Sequence, residues 1–178
     1  MSILVPVVST GITLNEVPDK IAFYIELGEC TQHCKGCHSP HLWKNVQTKT
    51  PLKTLVKMAD EAMDKGAQAI VLMGGTTNGI AKDTLINIIN TLSFVAPVCL
   101  YSGSDDTDLN ESIALGSHLK WIKTGSYKEA LDGLRSPKTN QHFYRKEWEY
   151  RIKGDEVVGV IPFLVECTEV FQSNGTAE

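Results

Sequence analysis

An apolar run at 20–27, KIAFYIEL, leads almost directly into Cys30, Cys34 and Cys37, and this junction constrains the chain more than any other feature. Its β-branched and aromatic residues predict a strand, so a thiol-bearing loop leaves that strand's C-terminal end. The spacing C-x3-C-x2-C crowds three soft ligands into one short loop. Thiolates bind iron-sulfur clusters, and a complete cubane needs a ligand for each of its four irons. Three cysteines leave one iron open, much as a catalytic zinc keeps a place for water or substrate.

Other uses of the three thiols stand beside this one. A Cys3His zinc site would take His33, His38 or His41 as its fourth ligand, yet structural zinc usually joins two separated ligand pairs, and no second C-x2-C exists. An electron-transfer ferredoxin needs a fourth cysteine, and neither Cys99 nor Cys167 has ferredoxin spacing. Cys99 lies in an apolar run and reads as a small core residue, while Cys167 has no assignable role. Five cysteines, three of them clustered, argue against a disulfide framework and for a reducing cytoplasm. The N-terminus lacks the basic segment and apolar length of a secretion signal.

Along the chain, strand-like and helix-like segments alternate. Thr50-Pro51 predicts an N-cap with proline at the first helical position, followed by an apolar face of Leu52, Leu55, Val56, Ala59, Ala62 and Met63, with Gly66 as a stop. A buried strand at 69–73 precedes Gly74-Gly75-Thr76-Thr77-Asn78 and a helix carrying Leu85, Ile88, Ile89 and Leu92. Strands at 97–101 and 119–123, ending in Ser102-Gly103 and Thr124-Gly125, flank a weaker helix around 109–115. This alternation implies parallel strands, with four loops at the sheet edge where α/β folds bind ligands. The uncharged run at 84–104 is long enough to cross a bilayer, but its polar residues and its change of period fit a helix followed by a strand.

The remainder is of another kind. Residues 126–142 form a long polar connection. Tyr144, Trp148, Tyr150 and Ile152 then alternate with polar residues, Gly154-Asp155 turns the chain, and 157–160 pairs back as a hairpin. From Ser173 onward the chain reads as frayed. With 178 residues and no convincing linker, a single domain is expected, its core at about 20–125 and a C-terminal extension at about 126–172. A net charge of −4 without a basic block argues against nucleic acid or an anionic membrane as partner.

The cysteine motif on the loop after the first strand of a βα chain resembles the radical S-adenosylmethionine superfamily. CKGCHSPHLW at 34–43, IVLMGG at 70–75, LYSG at 100–103, WIKTGSY at 121–127 and SPKTNQHFYR at 136–145 are together similar to the anaerobic (class III) ribonucleotide reductase activating proteins. The resemblance implies an α/β fold, an incomplete (βα) barrel of the radical S-adenosylmethionine type with a C-terminal β-hairpin. It implies a 4Fe-4S cluster on Cys30, Cys34 and Cys37, with S-adenosylmethionine chelated at the open iron. Reductive cleavage would give methionine and a 5'-deoxyadenosyl radical that takes hydrogen from a glycine of the large reductase subunit. A flavodoxin-like or ferredoxin-like protein would supply the electron.

The same resemblance assigns cofactor contacts to Gly36, His38, Gly74, Gly75, Thr76, Ser102, Gly103 and Lys123, with Tyr101 ending a strand beside the pocket. Asn140 and Gln141 fall in the segment assigned to the partner or to pocket closure, unless they serve a plain connector. Two positions depart from the superfamily pattern: Thr76 stands where an acidic residue is common, and Gly36 where an aromatic one is. The competing expectations are an activase for another glycyl-radical enzyme, and a non-catalytic iron-sulfur or zinc module.

Overall fold

The computed structural model describes residues 2–172. They form strands β1 (Leu4–Val5), β2 (Val7–Thr13), β3 (Ala22–Leu27) and β4 (Thr50–Pro51), then α1 (Leu52–Asp64), β5 (Ala69–Met73), α2 (Lys82–Leu92), β6 (Val98–Tyr101), α3 (Thr107–Gly116), β7 (Trp121–Thr124), β8 (His142–Lys153), β9 (Glu156–Glu166) and α4 (Glu169–Gln172). Seven strands make one sheet in the order β2-β3-β5-β6-β7-β8-β9. The four expected strands β3, β5, β6 and β7 pair in parallel, so their C-terminal loops emerge along one edge.

Alternation along the strands sorts the interior into two faces. Phe23, Ile25, Leu27, Ile70, Leu72, Val98, Leu100 and Ile122 pack against α1, α2 and α3. The helices supply Leu55 and Ala59, Leu85, Ile88, Ile89 and Leu92, and Ile113 and Ala114, at the three- and four-residue spacings that align on one helical face. Intervening positions Ala22, Ala69, Val71 and Cys99 face the other way and meet Val17, Leu134 and Phe143. Each fully buried leucine or isoleucine on the helical side contributes about 1.5–3 kcal/mol. Cys99 is a core residue as expected, and burial pushes its thiol well up from the ordinary value.

Tertiary pairing changes several local expectations. Pro51 is the N-cap of α1, not its first helical residue, because Thr50 and Pro51 pair with Val5 and Leu4 as a two-stranded sheet. The main sheet begins before residue 20, since β2 lies antiparallel on β3. The C-terminal segment is continuous with that sheet as well: β8 pairs with β7, and the hairpin is longer than expected, running to Glu166. Gly154 turns it at φ +63°, a left-handed conformation that glycine adopts without a Cβ penalty. The distal hairpin exposes Tyr150, Ile152, Val157 and Val158.

The base of the hairpin also closes α3. Buried Lys146 donates from Nζ to the Ala114 carbonyl at 3.0 Å and to the Ser117 carbonyl, satisfying acceptors at the helix's C-terminal end. Burial, with Lys120 nearby, lowers the Lys146 pKa. The run at 84–104 divides between α2 and β6, and among the described residues no helix is long and apolar enough to cross a membrane. The expectation for Ser173 onward lies outside the described residues.

Candidate metal centre

The cysteine loop is held at both ends before its thiols are considered. Gly28 N–H donates to the Pro6 carbonyl at 2.7 Å, Glu29 N–H to Lys44 at 3.0 Å, and Cys30 N–H to Leu42 at 3.0 Å. A 3-10 turn at Pro40–Trp43 thus supports the start of the loop. Left-handed φ values at Glu29, His33 and Gly36 curl it. At Gly36, φ is +70° and an added Cβ would lie 3.0 Å from the Glu129 side chain, which explains why an aromatic residue is unsuited to this position.

Asn78 joins this loop to the Gly-Gly loop. Only 1 % exposed, it donates from Nδ2 to the Leu27 carbonyl at 2.9 Å and the Gly28 carbonyl at 2.6 Å, while Oδ1 accepts from Gly75 N–H at 2.6 Å. Gly74 and Gly75 adopt φ +107° and +118°, and a Cβ on Gly74 would stand 2.8 Å from Asn78 Oδ1. Glycine is therefore required both by conformation and by the close approach of the amide. The next loop is tied in by hydroxyls: Thr76 Oγ1 and Ser102 Oγ are 2.8 Å apart, and Ser102 donates to Asn110 Oδ1 at 2.6 Å.

These loops surround a cleft of about 550 Å³. Cys30, Cys34, Cys37, His38, Gly74, Ser102, Gly103, Lys123 and Gln141 all line it, together with Tyr101. Three other candidates do not line it: Gly36 lies against Glu129, Gly75 against Leu85, and Thr76 is paired with the lining residue Ser102. Asn140 lines a neighbouring cavity of about 450 Å³ instead. Its Nδ2 donates to the Ser126 carbonyl at 2.9 Å, and Gln141 Nε2 reaches the Gly125 carbonyl at 3.3 Å. Both amides therefore hold the loop after β7, as a connector would.

Lys123 is buried, not the solvated strand-end charge that its position alone suggests. Its Nζ donates to the Gly125 carbonyl at 2.9 Å. Burial pushes its pKa down to about 8, opposed by the negative charges of Cys34, Asp105, Glu16 and Cys37. Asp105 accepts from Ser126 N–H at 2.8 Å and Ser126 Oγ at 2.7 Å, and the Ser126 backbone bond holds its carboxyl below the ordinary range. The charge of Lys123 is thus kept at the end of the cleft beside the thiols.

Several lining residues have no local signal in the sequence. Asn15 and Glu16 arrive from before β3, where the half-buried Tyr101 donates its hydroxyl proton to the Glu16 carbonyl at 2.7 Å. Tyr127 packs on His38 with ring centroids 4.6 Å apart, giving the cleft an aromatic wall. Leu134 and Arg135 come from the long polar connection. Tyr127 lies within WIKTGSY and Asn78 directly after the Gly-Gly loop, so their segments were legible although their packing was not.

The donor set fits an iron-sulfur cluster. All three loop cysteines are free and partly exposed to the same cleft. Among the described residues, no group of three His, Cys, Asp or Glu side chains is arranged to hold a single metal ion. Of the three histidines weighed for zinc, His41 pairs with Glu26 at 3.0 Å and His33 stacks on Trp43, whereas His38 lines the cleft with the three cysteines and packs on Tyr127. No curated protein and no solved structure matches the chain. A family model described as a 4Fe-4S single cluster domain matches residues 20–142, a span that contains all three loop cysteines and the loops after β3, β5, β6 and β7. With more than half of its length matched, the chain belongs to the 4Fe-4S single cluster domain family.

Proposed function

We propose that the chain is a radical S-adenosylmethionine enzyme, an activase that installs a glycyl radical on anaerobic ribonucleoside-triphosphate reductase. The observation carrying this reading is a three-thiol site in a cleft that continues past the sulfurs to Gly74, Ser102 and Lys123. Its volume falls within the range of small-molecule pockets, roughly 300–1,000 Å³. Cys30, Cys34 and Cys37 would hold the cluster, which would supply one electron for cleaving the sulfonium C–S bond of S-adenosylmethionine into methionine and a 5'-deoxyadenosyl radical, the species that would take hydrogen from the partner's glycine.

The chain's own groups orient and shield that chemistry. Gly74, which lines the cleft, offers a carbonyl unobstructed by a Cβ to the methionyl ammonium, and Gly75 lets the loop turn behind it. Lys123 presents a cation to the methionyl carboxylate, an interaction strengthened by its low-dielectric setting. Thr76, engaged with Ser102, replaces the usual acidic contact by a neutral network. His38 and Tyr127 provide flat surfaces against which adenine excludes water. The sheet belongs, on this reading, to an incomplete barrel whose open side admits the glycine loop; 135–145 closes that side or meets the reductase, and a flavodoxin-like or ferredoxin-like donor reduces the cluster.

Anaerobic reconstitution followed by reduction with S-adenosylmethionine tests the proposal. About four irons per chain and release of 5'-deoxyadenosine are expected, with a glycyl radical appearing when the reductase is added. Four irons without 5'-deoxyadenosine would leave a non-catalytic cluster module, and turnover with another glycyl-radical enzyme alone would reassign the partner.

A further inference from the structure

Thr77 stands where the Gly-Gly loop meets the first cysteine. Its carbonyl accepts from Thr31 N–H at 2.9 Å and from Thr31 Oγ1 at 3.0 Å, which fixes its backbone against the cysteine loop. Thr77 Oγ1 lies 3.4 Å from Cys30 Sγ. The alternative acceptor for its proton, Asn78 Oδ1, is 3.5 Å away and already receives Gly75 N–H at 2.6 Å. A metal-bound thiolate has no proton to give, so this contact has one polarity: the hydroxyl donates and the sulfur accepts. Cys37 Sγ receives the Ser39 backbone N–H at 3.4 Å, a donor that side-chain substitution leaves in place.

We infer that Thr77 is a positioning residue that acts through Cys30 to raise the cluster's reduction potential. A donor to a ligand sulfur stabilises the reduced, more negative cluster more than the oxidised one, and hydrogen bonding around the sulfurs is among the levers that set such potentials. The inference rests on the family's cluster and not on S-adenosylmethionine chemistry.

The test is potentiometric titration of the anaerobically reconstituted chain, without S-adenosylmethionine, for wild type, Thr77→Val and Thr77→Ser. Valine keeps the shape and the backbone clasp but has no donor. Its one-electron reduction equilibrium is expected to shift about five- to tenfold toward the oxidised form, tenfold being about 59 mV. Serine is expected to hold the wild-type potential, and all three proteins to keep the same iron content and melting temperature. An unchanged potential in Thr77→Val, an equal shift in Thr77→Ser, or failure of Thr77→Val to take up iron would each overturn the tuning role. None of these outcomes alters wild-type iron content or 5'-deoxyadenosine release, so they are separable from the proposed function.

Discussion

Replacing Asn78 with alanine removes the joint between the cysteine loop and the Gly-Gly loop. Three short hydrogen bonds are lost, to Leu27, Gly28 and Gly75, besides a long one of 3.5 Å from Thr77 Oγ1, all at a side chain that is 1 % exposed. At about 1 kcal/mol net for each short bond, the loss is about 3 kcal/mol. Water entering from the adjoining cleft can satisfy part of what is exposed, whereas a dry cavity would add the desolvation cost of the orphaned groups. A shift of about 2–4 °C per kcal/mol for a chain of this size gives a fall in melting temperature of about 6–12 °C. Denaturant unfolding is the direct assay, with a lowered midpoint and an unchanged slope. Cluster uptake should fall as well, because the affected carbonyls immediately precede Cys30. A loss below about 1 kcal/mol with normal iron content would show that the loops hold their register without the amide, and would refute the reasoning.

Three further outcomes follow from the geometry. Cys30→Ala, Cys34→Ala and Cys37→Ala should each lose the iron-sulfur absorbance, while Cys99→Ala retains it at about 1 kcal/mol of stability; a full cluster in any loop variant contradicts the ligand set. Lys146→Met should cost about 2 kcal/mol in denaturant unfolding, since it removes the buried donors that close the C-terminal end of α3. Lys123 has a folded pKa of about 8 against an ordinary 10.5, so between those values the unfolded chain binds more protons and wild-type stability gains with rising pH. That contribution is complete above pH 10.5 and is lost as pH falls through about 8; the same gain in Lys123→Met apoprotein would assign it to other groups.

The sequence by itself determined the features that depend on neighbours along the chain. The apolar run at 20–27, the heptad-scale spacing of Leu85, Ile88, Ile89 and Leu92, and the block at 69–73 specify their strands and helix because side-chain direction repeats at 2.0 and 3.6 residues. The three cysteines needed only their spacing and the preceding strand to stand out as a ligand set. Tertiary structure alone decided what depends on which segments meet. Residues 7–13, mixed in polarity and interrupted by Gly11, have little strand signal of their own and take their conformation from pairing with β3. Thr50-Pro51 reads locally as a helix cap but becomes a strand because β1 offers its free backbone groups. Asn78, Lys123 and Lys146 are ordinary surface residue types, and each is buried because backbone carbonyls brought from elsewhere in the fold or from the next loop accept its protons. Burial of a polar group depends on such partners, and no local window of sequence contains them.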